Sequence, residues 1–173
     1  MIRRAIPADL DAIEAIYHAI LDHEQAIGRR YTNWDKELYP TRAYAAEAVE
    51  AGTMYVDVVN GRAVSCVSLN HVQPPEYANI PWTIPAKGKE VLVIHTLCVH
   101  PAASGHHSGR RFVAFAEGLG KGLGCTVIRL DTYEGNEPAL AFYPKLGYSY
   151  AGITRFHFQN VIWENLKCFE KAL

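Results

Sequence analysis

Apolar positions along the chain change period several times, and each change marks an element. Leu10, Ile13, Ile16, Tyr17, Ile20 and Leu21 recur at three- and four-residue spacing, which predicts an amphipathic helix. Asp9 and Asp11 lie in its first turn, where carboxylates suit the positive helix end. Residues 2–5 before it read as a short strand. A weaker helical stretch runs from about residue 41 to 51, with Gly52 as its stop. Residues 54–59 and 63–69 read as strands joined by Asn60-Gly61, a dipeptide that accepts the positive backbone angles of a tight hairpin turn. A polar, proline-bearing loop covers about residues 73–89. Loops of that length are uncommon in compact domains and tend to be functional or mobile.

The stretch from Val91 to Val99 is nearly all apolar, as expected of a central strand buried on both faces. A helix over about 108–119 follows, with Phe112, Phe115, Ala116 and Leu119 as its buried stripe. The glycine-rich run from Gly118 to Gly124 reads as a flexible helix terminus. Next come a strand over 126–132, a helix over 137–146 closed by Gly147, and a hairpin of strands over 148–156 and 161–169. This order predicts a mixed α/β domain with a mostly antiparallel sheet flanked by helices, not a doubly wound parallel fold.

Composition narrows the picture. The 173 residues suit a single domain spanning 1–173, and 49% hydrophobic with 20% charged residues is ordinary globular composition. Such a chain buries roughly two-thirds of its extended surface, so it needs no disulfide or metal to fold. A net charge of -1 argues against a nucleic-acid partner, so any anion site must be local. Cys66, Cys98, Cys125 and Cys168 lie far apart in apolar runs without a CxxC pair, which suits buried thiols in a reducing cytoplasm. Met1-Ile2-Arg3-Arg4-Ala5 lacks the apolar core of a signal peptide, and no run approaches the ~20 apolar residues of a membrane span. The expectation is a cytoplasmic protein without a membrane partner; the sequence allows a homodimer.

One local anion site suggests itself. Ser104-Gly105-His106-His107-Ser108-Gly109-Arg110-Arg111 lies between the buried strand and a helix. Its glycines let backbone amides turn toward a ligand, and the helix start adds unpaired N–H groups and a positive dipole. Arg110 and Arg111 oppose that dipole, a conflict a bound polyanion would relieve. The loop is not a P-loop, since no Lys-Ser/Thr follows its glycines. The alternative reading is a glycine turn beside two solvated arginines.

With these segments in view, the chain resembles the GNAT N-acetyltransferase superfamily of acetyl-CoA-dependent enzymes. The resemblance rests on Val93 through Pro101, the glycine loop, Leu130-Asp131-Thr132, and the run from Asn136 through Ala139, Phe142, Tyr143, Leu146 and Gly147 to Tyr148. It covers residues 91 to about 152 best and most of the chain loosely. It implies that amides at Leu97, Cys98 and Val99 pair with the pantetheine arm of coenzyme A, and that the loop amides from Ser104 to Arg110 hold its pyrophosphate. It places Asn136 along the channel and Tyr143 near the thioester sulfur. The loop departs from the family's usual Gln/Arg-x-x-Gly-x-Gly/Ala: those places hold Ser104, His107 and Gly109, so only Gly109 is retained. A non-catalytic module of the same fold, binding coenzyme A or a protein partner, is the runner-up reading.

Acetyl transfer to an amine needs a neutral nucleophile, a donor for the developing oxyanion and a proton for the departing thiolate. Tyr143 is the candidate acid, with an ordinary pKa near ~10. His95 is the candidate base, with an ordinary pKa near ~6.5. Strand alternation would put His95, Leu97 and Val99 on one side, and His-x-Leu-x-Val-His resembles the arylalkylamine branch of the superfamily. Glu76 and Glu134 are weaker alternatives. His95, His100, His106 and His107 have no ligand spacing for a metal. The acceptor is a small-molecule or peptide amine. Trp34, Tyr39, Tyr77 and Trp82, with Tyr31, would line its slot, or else anchor loops on the core. No acidic cluster stands out in the sequence, which argues against a polycationic acceptor.

Overall fold

The Asn60-Gly61 turn forms as its chemistry requires. In the computed structural model, which describes residues 1–105, 107–158 and 160–173, Asn60 and Gly61 take φ of 51° and 77°. They close strand β2 (Met54–Val59) onto β3 (Arg62–Asn70). Strand β1 (Ile2–Arg4) pairs antiparallel with β2, and the β2–β3 register slips at Asp57/Val58. The described residues contribute seven strands, completed by β4 (Val91–Val99), β5 (Val127–Tyr133), β6 (Ser149–Phe158) and β7 (Ile162–Ala172). Their order is β1-β2-β3-β4-β5-β7-β6. The β4–β5 pairing is parallel, and β5–β7 and β6–β7 are antiparallel, so the sheet is mixed as expected.

The chain folds as two compact units. The first comprises Met1–Arg29, Trp34–Leu69 and His95–Ala116. Its helix α1 (Leu10–Ile27) runs past the predicted stripe to Gly28, whose φ of 65° ends it. Asp9 does not cap α1's own amides; it takes Arg3 through two hydrogen bonds of 2.7 and 2.9 Å and accepts from Ile6 N. Helix α2 (Arg42–Glu50) is capped by Thr41, whose Oγ1 accepts from Tyr44 N. Ile13, Ile16 and Tyr17 of α1 pack with Ala45 and Ala48 of α2 and with Met54, Val56, Cys66 and Cys98 of the strands. Each large side chain so buried contributes about 1.5–3 kcal/mol relative to exposure.

The β4 segment of this unit does not keep a plain strand. Thr96 sits at φ 52°, in the left-handed region that a β-branched residue rarely enters. The Tyr39 and Tyr44 hydroxyls both bond its Oγ1, the latter at 3.0 Å, and Cys98 packs among the buried residues of α1 and α2. A residue turned this way breaks the two-residue alternation. The expected sharing of one side by His95, Leu97 and Val99 therefore does not run through.

The second unit comprises Arg30–Asn33, Asn70–Ile94 and Glu117–Leu173. Helix α3 (Ser108–Gly122), which continues into it, passes the predicted end at Leu119. Gly120 explains why: a Cβ there would lie 2.5 Å from Leu173 Cδ1 and 3.4 Å from Leu92 Cδ2, so this glycine allows close packing rather than a stop. Helix α4 (Glu137–Phe142) is shorter than expected, because Pro144 lacks the donor and clashes with a continuing helix. A 3-10 turn over Pro144–Leu146 ends at Gly147, φ 84°.

The segment expected as an open loop carries 3-10 turns at Pro75–Asn79 and Gly88–Glu90. Tyr77 and Ile80 join a core with Val91, Val93, Val127, Phe156, Leu166 and Cys168. A buried ion pair anchors the segment. Arg129 and Glu170 face each other across β5 and β7, 4% and 1% exposed, with Nε and Oε2 3.7 Å apart. Arg129 also donates to Gln73 Oε1 and Ile84 O and lies 4.3 Å from the Trp82 ring centre; Glu170 Oε1 accepts from Thr83 N and Oγ1. Replacing Arg129 by Met is expected to cost about 3–5 kcal/mol, because Glu170 stays buried without its cation. Adding Glu170→Gln should return part of the loss. Urea unfolding of the single and double variants checks this, and a single variant as stable as the parent would contradict it.

Candidate functional site

Three elements carry the residues singled out from the sequence. At the start of α3, His107 takes φ 59° and its carbonyl accepts from Arg111 N at 2.9 Å, so it stands where the helix begins. The amides of Ser108, Gly109 and Arg110 are first-turn groups, which have no partner within their own helix. Ser104, Gly105, His107 and Arg110 are exposed, whereas Ser108 is buried. His106 lies outside the described residues.

The expected conflict between Arg111 and the helix dipole is resolved inside the unit. Arg111 donates to Asp57 Oδ2 from Nε at 3.1 Å and Nη2 at 2.6 Å, and from Nη2 to Ser108 Oγ at 2.8 Å. Burial pushes the Asp57 carboxyl up, but the bonds and charges of Arg111 and the Met1 ammonium outweigh it and hold it low. Arg110 and Arg111 are both exposed, but Arg111 is paired with Asp57, and the first-turn amides with Gly109 suit a phosphate-type anion.

In β4, His95, Leu97 and Val99 are half-buried. Cys98 is fully buried, and burial with the neighbouring Cys66 raises its thiol pKa, so its side chain is inert packing. Beside this strand end stands an aromatic row. The Trp34 and Tyr39 ring centres are 5.8 Å apart, and those of Tyr39 and Tyr44 are 5.0 Å apart. Tyr39 is buried and committed to Thr96, so Trp34 is the more accessible of the two predicted slot residues.

The third element is α4. Asn136 caps it, its Oδ1 accepting from Ala139 N at 3.1 Å. Tyr143 follows the last helical residue at 6% exposure, its ring against Phe142, Tyr148 and Phe169. A capped six-residue helix, stopped by Pro144, thus fixes where this hydroxyl-bearing ring sits.

Tyr77 and Trp82 come together, ring centres 5.0 Å apart, but Tyr77 is core. Its hydroxyl donates to Asp131 Oδ2 at 2.8 Å. Glu134 is exposed and accepts from Asn165 Nδ2, while Glu76 Oε1 accepts from His157 N. Two carboxyls of this unit depart from their ordinary range, which sequence reasoning did not foresee. Burial pushes the Asp131 carboxyl up to about 6, with the Tyr77 bond opposing and the Glu76 charge adding. Burial, then the charge of Asp131, pushes Glu164 up to about 7. The period of β7 carried the signal: Ile162, Glu164, Leu166, Cys168 and Glu170 alternate as one buried face.

Both carboxyls hold protons more tightly in the folded state than in the unfolded one. Their contribution to stability is therefore complete below the ordinary carboxyl range near ~4 and is lost as pH rises through 6 to 7. Unfolding free energy should fall between about pH 4 and about pH 7, and fall less in Glu164→Gln. Urea titrations across that range check it, and identical slopes in the two proteins would contradict it.

Comparisons with known proteins give the arrangement its context. The profile of the acetyltransferase (GNAT) family matches residues 13–148. No curated protein sequence matches the chain. Among solved structures, a putative acetyltransferase from Staphylococcus aureus Mu50 is 19% identical, with a TM-score of 0.75 over 99% of this chain and 98% of that one. A ribosomal-protein-alanine N-acetyltransferase from Brucella melitensis is 20% identical, with a TM-score of 0.71 over 100% and 99% of the chains. A putative acetyltransferase from Salmonella typhimurium, solved with its cofactor acetyl-CoA, is 19% identical, with a TM-score of 0.70 over 100% and 93%. At these identities the structures show a shared fold, and the profile match over most of the length shows the rest: the chain belongs to the GNAT family of acetyltransferases.

Proposed function

We propose that the chain transfers an acetyl group from acetyl-CoA to a primary amine of a small molecule or peptide, directly and within a ternary complex. Acetyl-CoA is the family's donor and supplies an activated acetyl thioester. The observation that carries the reading is the start of α3, where the first-turn amides, Gly109 and exposed Arg110 meet while Arg111 is paired with Asp57. In this reading those amides, with Ser104 and Gly105, bind the pyrophosphate.

The amides of Leu97 to Val99 hold the pantetheine arm as an added strand, and one near Leu97 donates to the developing oxyanion. His95 Nε2 or Nδ1 takes the acceptor's proton, directly or through water, and Tyr143 Oη gives a proton to the departing sulfur. Asn136 orients the arm while its Oδ1 caps α4. The Salmonella neighbour's cofactor supports the donor, and the Brucella neighbour's named acceptor supports an amine.

Replacing Tyr143 by Phe should lower kcat by about 10²-fold or more while the Kd for acetyl-CoA moves little. Replacing His95 by Ala should depress activity most near neutral pH and remove the corresponding limb of the pH profile. Thiol release with a panel of primary amines, together with calorimetry of acetyl-CoA, measures both. An unchanged rate removes Tyr143 from the chemistry, and an unchanged profile shape makes His95 structural.

A further inference from the structure

The turn at Thr96 is held through its side chain, against the preference of its backbone. A threonine at φ 52° is disfavoured, whereas a glycine would take that conformation at no steric cost. What threonine adds there is Oγ1, and the fold brings two phenols to it. The hydroxyls of Tyr39 and Tyr44 both bond Thr96 Oγ1, the latter at 3.0 Å. Thr96 has a single hydroxyl hydrogen, so at least one of the tyrosines donates. Burial holds both phenols above their ordinary range, which keeps them protonated for that purpose.

Both phenols are themselves fixed in place. Tyr39 is 2% exposed, and its ring centre lies 5.8 Å from that of Trp34 and 5.0 Å from that of Tyr44. Tyr44 stands in the first turn of α2, where Thr41 Oγ1 accepts from its backbone N at 3.3 Å. The next residue, Ala45, is buried with Ile13, Ile16 and Tyr17 of α1. On β4, regular parallel pairing with β5 covers Val91–Ile94, and the chain turns at Thr96, two residues further on. The peptide after Thr96 carries the Leu97 N–H. The torsions of Thr96 set the direction of that peptide, so whatever fixes Thr96 aims the amide.

We propose that Tyr39 and Tyr44 are positioning residues for the transfer step: through Thr96 Oγ1 they aim the Leu97 N–H at the thioester oxygen. This rests on the acetyl-transfer reading, in which that amide donates to the developing oxyanion. Such a donor acts by being in place before charge develops, so an amide free to swing loses much of its effect while still present. The two phenols exchange no proton with the substrate. Tyr39, expected to line the acceptor slot, serves the donor side of the reaction instead.

The test reads the carbonyl band of isotope-labelled acetyl-CoA bound to the protein by difference infrared spectroscopy, with kcat from thiol release. In the parent, the bond from the amide should lower the band below its value for free acetyl-CoA. Tyr44→Phe, which keeps the ring, should move the band back toward the free value and lower kcat by about tenfold, part of the ~10²–10³ that outright loss of an oxyanion donor costs. Thr96→Gly accepts the positive φ without a hydroxyl; it should move the band further and lower kcat by about 10²-fold. Thr96→Ser, which keeps Oγ, should restore the band relative to Thr96→Gly. A merely structural tie would lower the urea midpoint and leave the bound carbonyl alone, so a band unmoved in Tyr44→Phe or in Thr96→Gly overturns the proposal. If one variant fails to fold by circular dichroism, the other decides. If the parent releases no thiol with any amine, the transfer reading has failed, and the band of bound acetyl-CoA still decides the role of the tyrosines. A parent that leaves the band at its free value, or binds no acetyl-CoA at millimolar concentration, overturns that role.

Discussion

A β-branched residue held at positive φ inside an apolar strand is the constraint around which the first unit is arranged. Thr96 at φ 52° carries a backbone cost on the order of 1–3 kcal/mol. Such a conformation persists only where the surroundings over-determine it, and here they do: two tyrosine hydroxyls reach Thr96 Oγ1 from the α2 side, and Cys98 is locked into the helix-packed core. Upstream, Val91–Ile94 pair in regular register with Val127–Leu130. Downstream, Leu97 and Val99 stay half-buried. The strain thus sits at the strand segment whose backbone the proposed chemistry uses, where stored strain is commonly found.

Charge placement sorts the ionisable groups by the partners the fold gives them. Arg111 is ion-paired with Asp57 and donates to Ser108 Oγ, and the helix start keeps its amides for an anion. Arg129 and Glu170 balance each other's charge at 3.7 Å while their remaining donors and acceptors pin the segment over Gln73, Trp82, Thr83 and Ile84. Asp131 accepts from the Tyr77 hydroxyl, Glu164 Oε2 has no hydrogen-bond partner among the described residues, and burial raises the proton affinity of both. One rule, that a buried charge needs a partner, accounts for all three arrangements.

Much of the architecture was legible because it is written in local chemistry. Asn60-Gly61 named its hairpin, the apolar run of β4 gave both strand ends, and the Asn136 to Gly147 run located its helix. Misreadings came where packing overruled local signals. Gly120 looked like a helix end but makes room for Leu173, and Pro144, read inside a helix, stops it. The Thr96 turn carries no sequence signature, since threonine is an ordinary strand residue. Likewise Glu76, Asp131 and Glu164 sit on three separate segments: β5 and β7 pair in one sheet, and Glu76 is tied to β6 from a 3-10 turn through His157 N. Glu164 and Glu170 were visible as acids on the apolar face of an alternating strand, a signal that sequence reading passed over.

The central claim is direct acetyl transfer to an amine, and mass spectrometry of both products tests it most directly. The protein would be incubated with acetyl-CoA and a panel of primary amines, and the acetylated amine, the free thiol and the intact protein mass followed together. The account predicts acetylated amine and thiol in equal amounts, with no acetyl group left on the protein. Acetyl retained on the protein as an intermediate, or no acetylated amine at all, would contradict it.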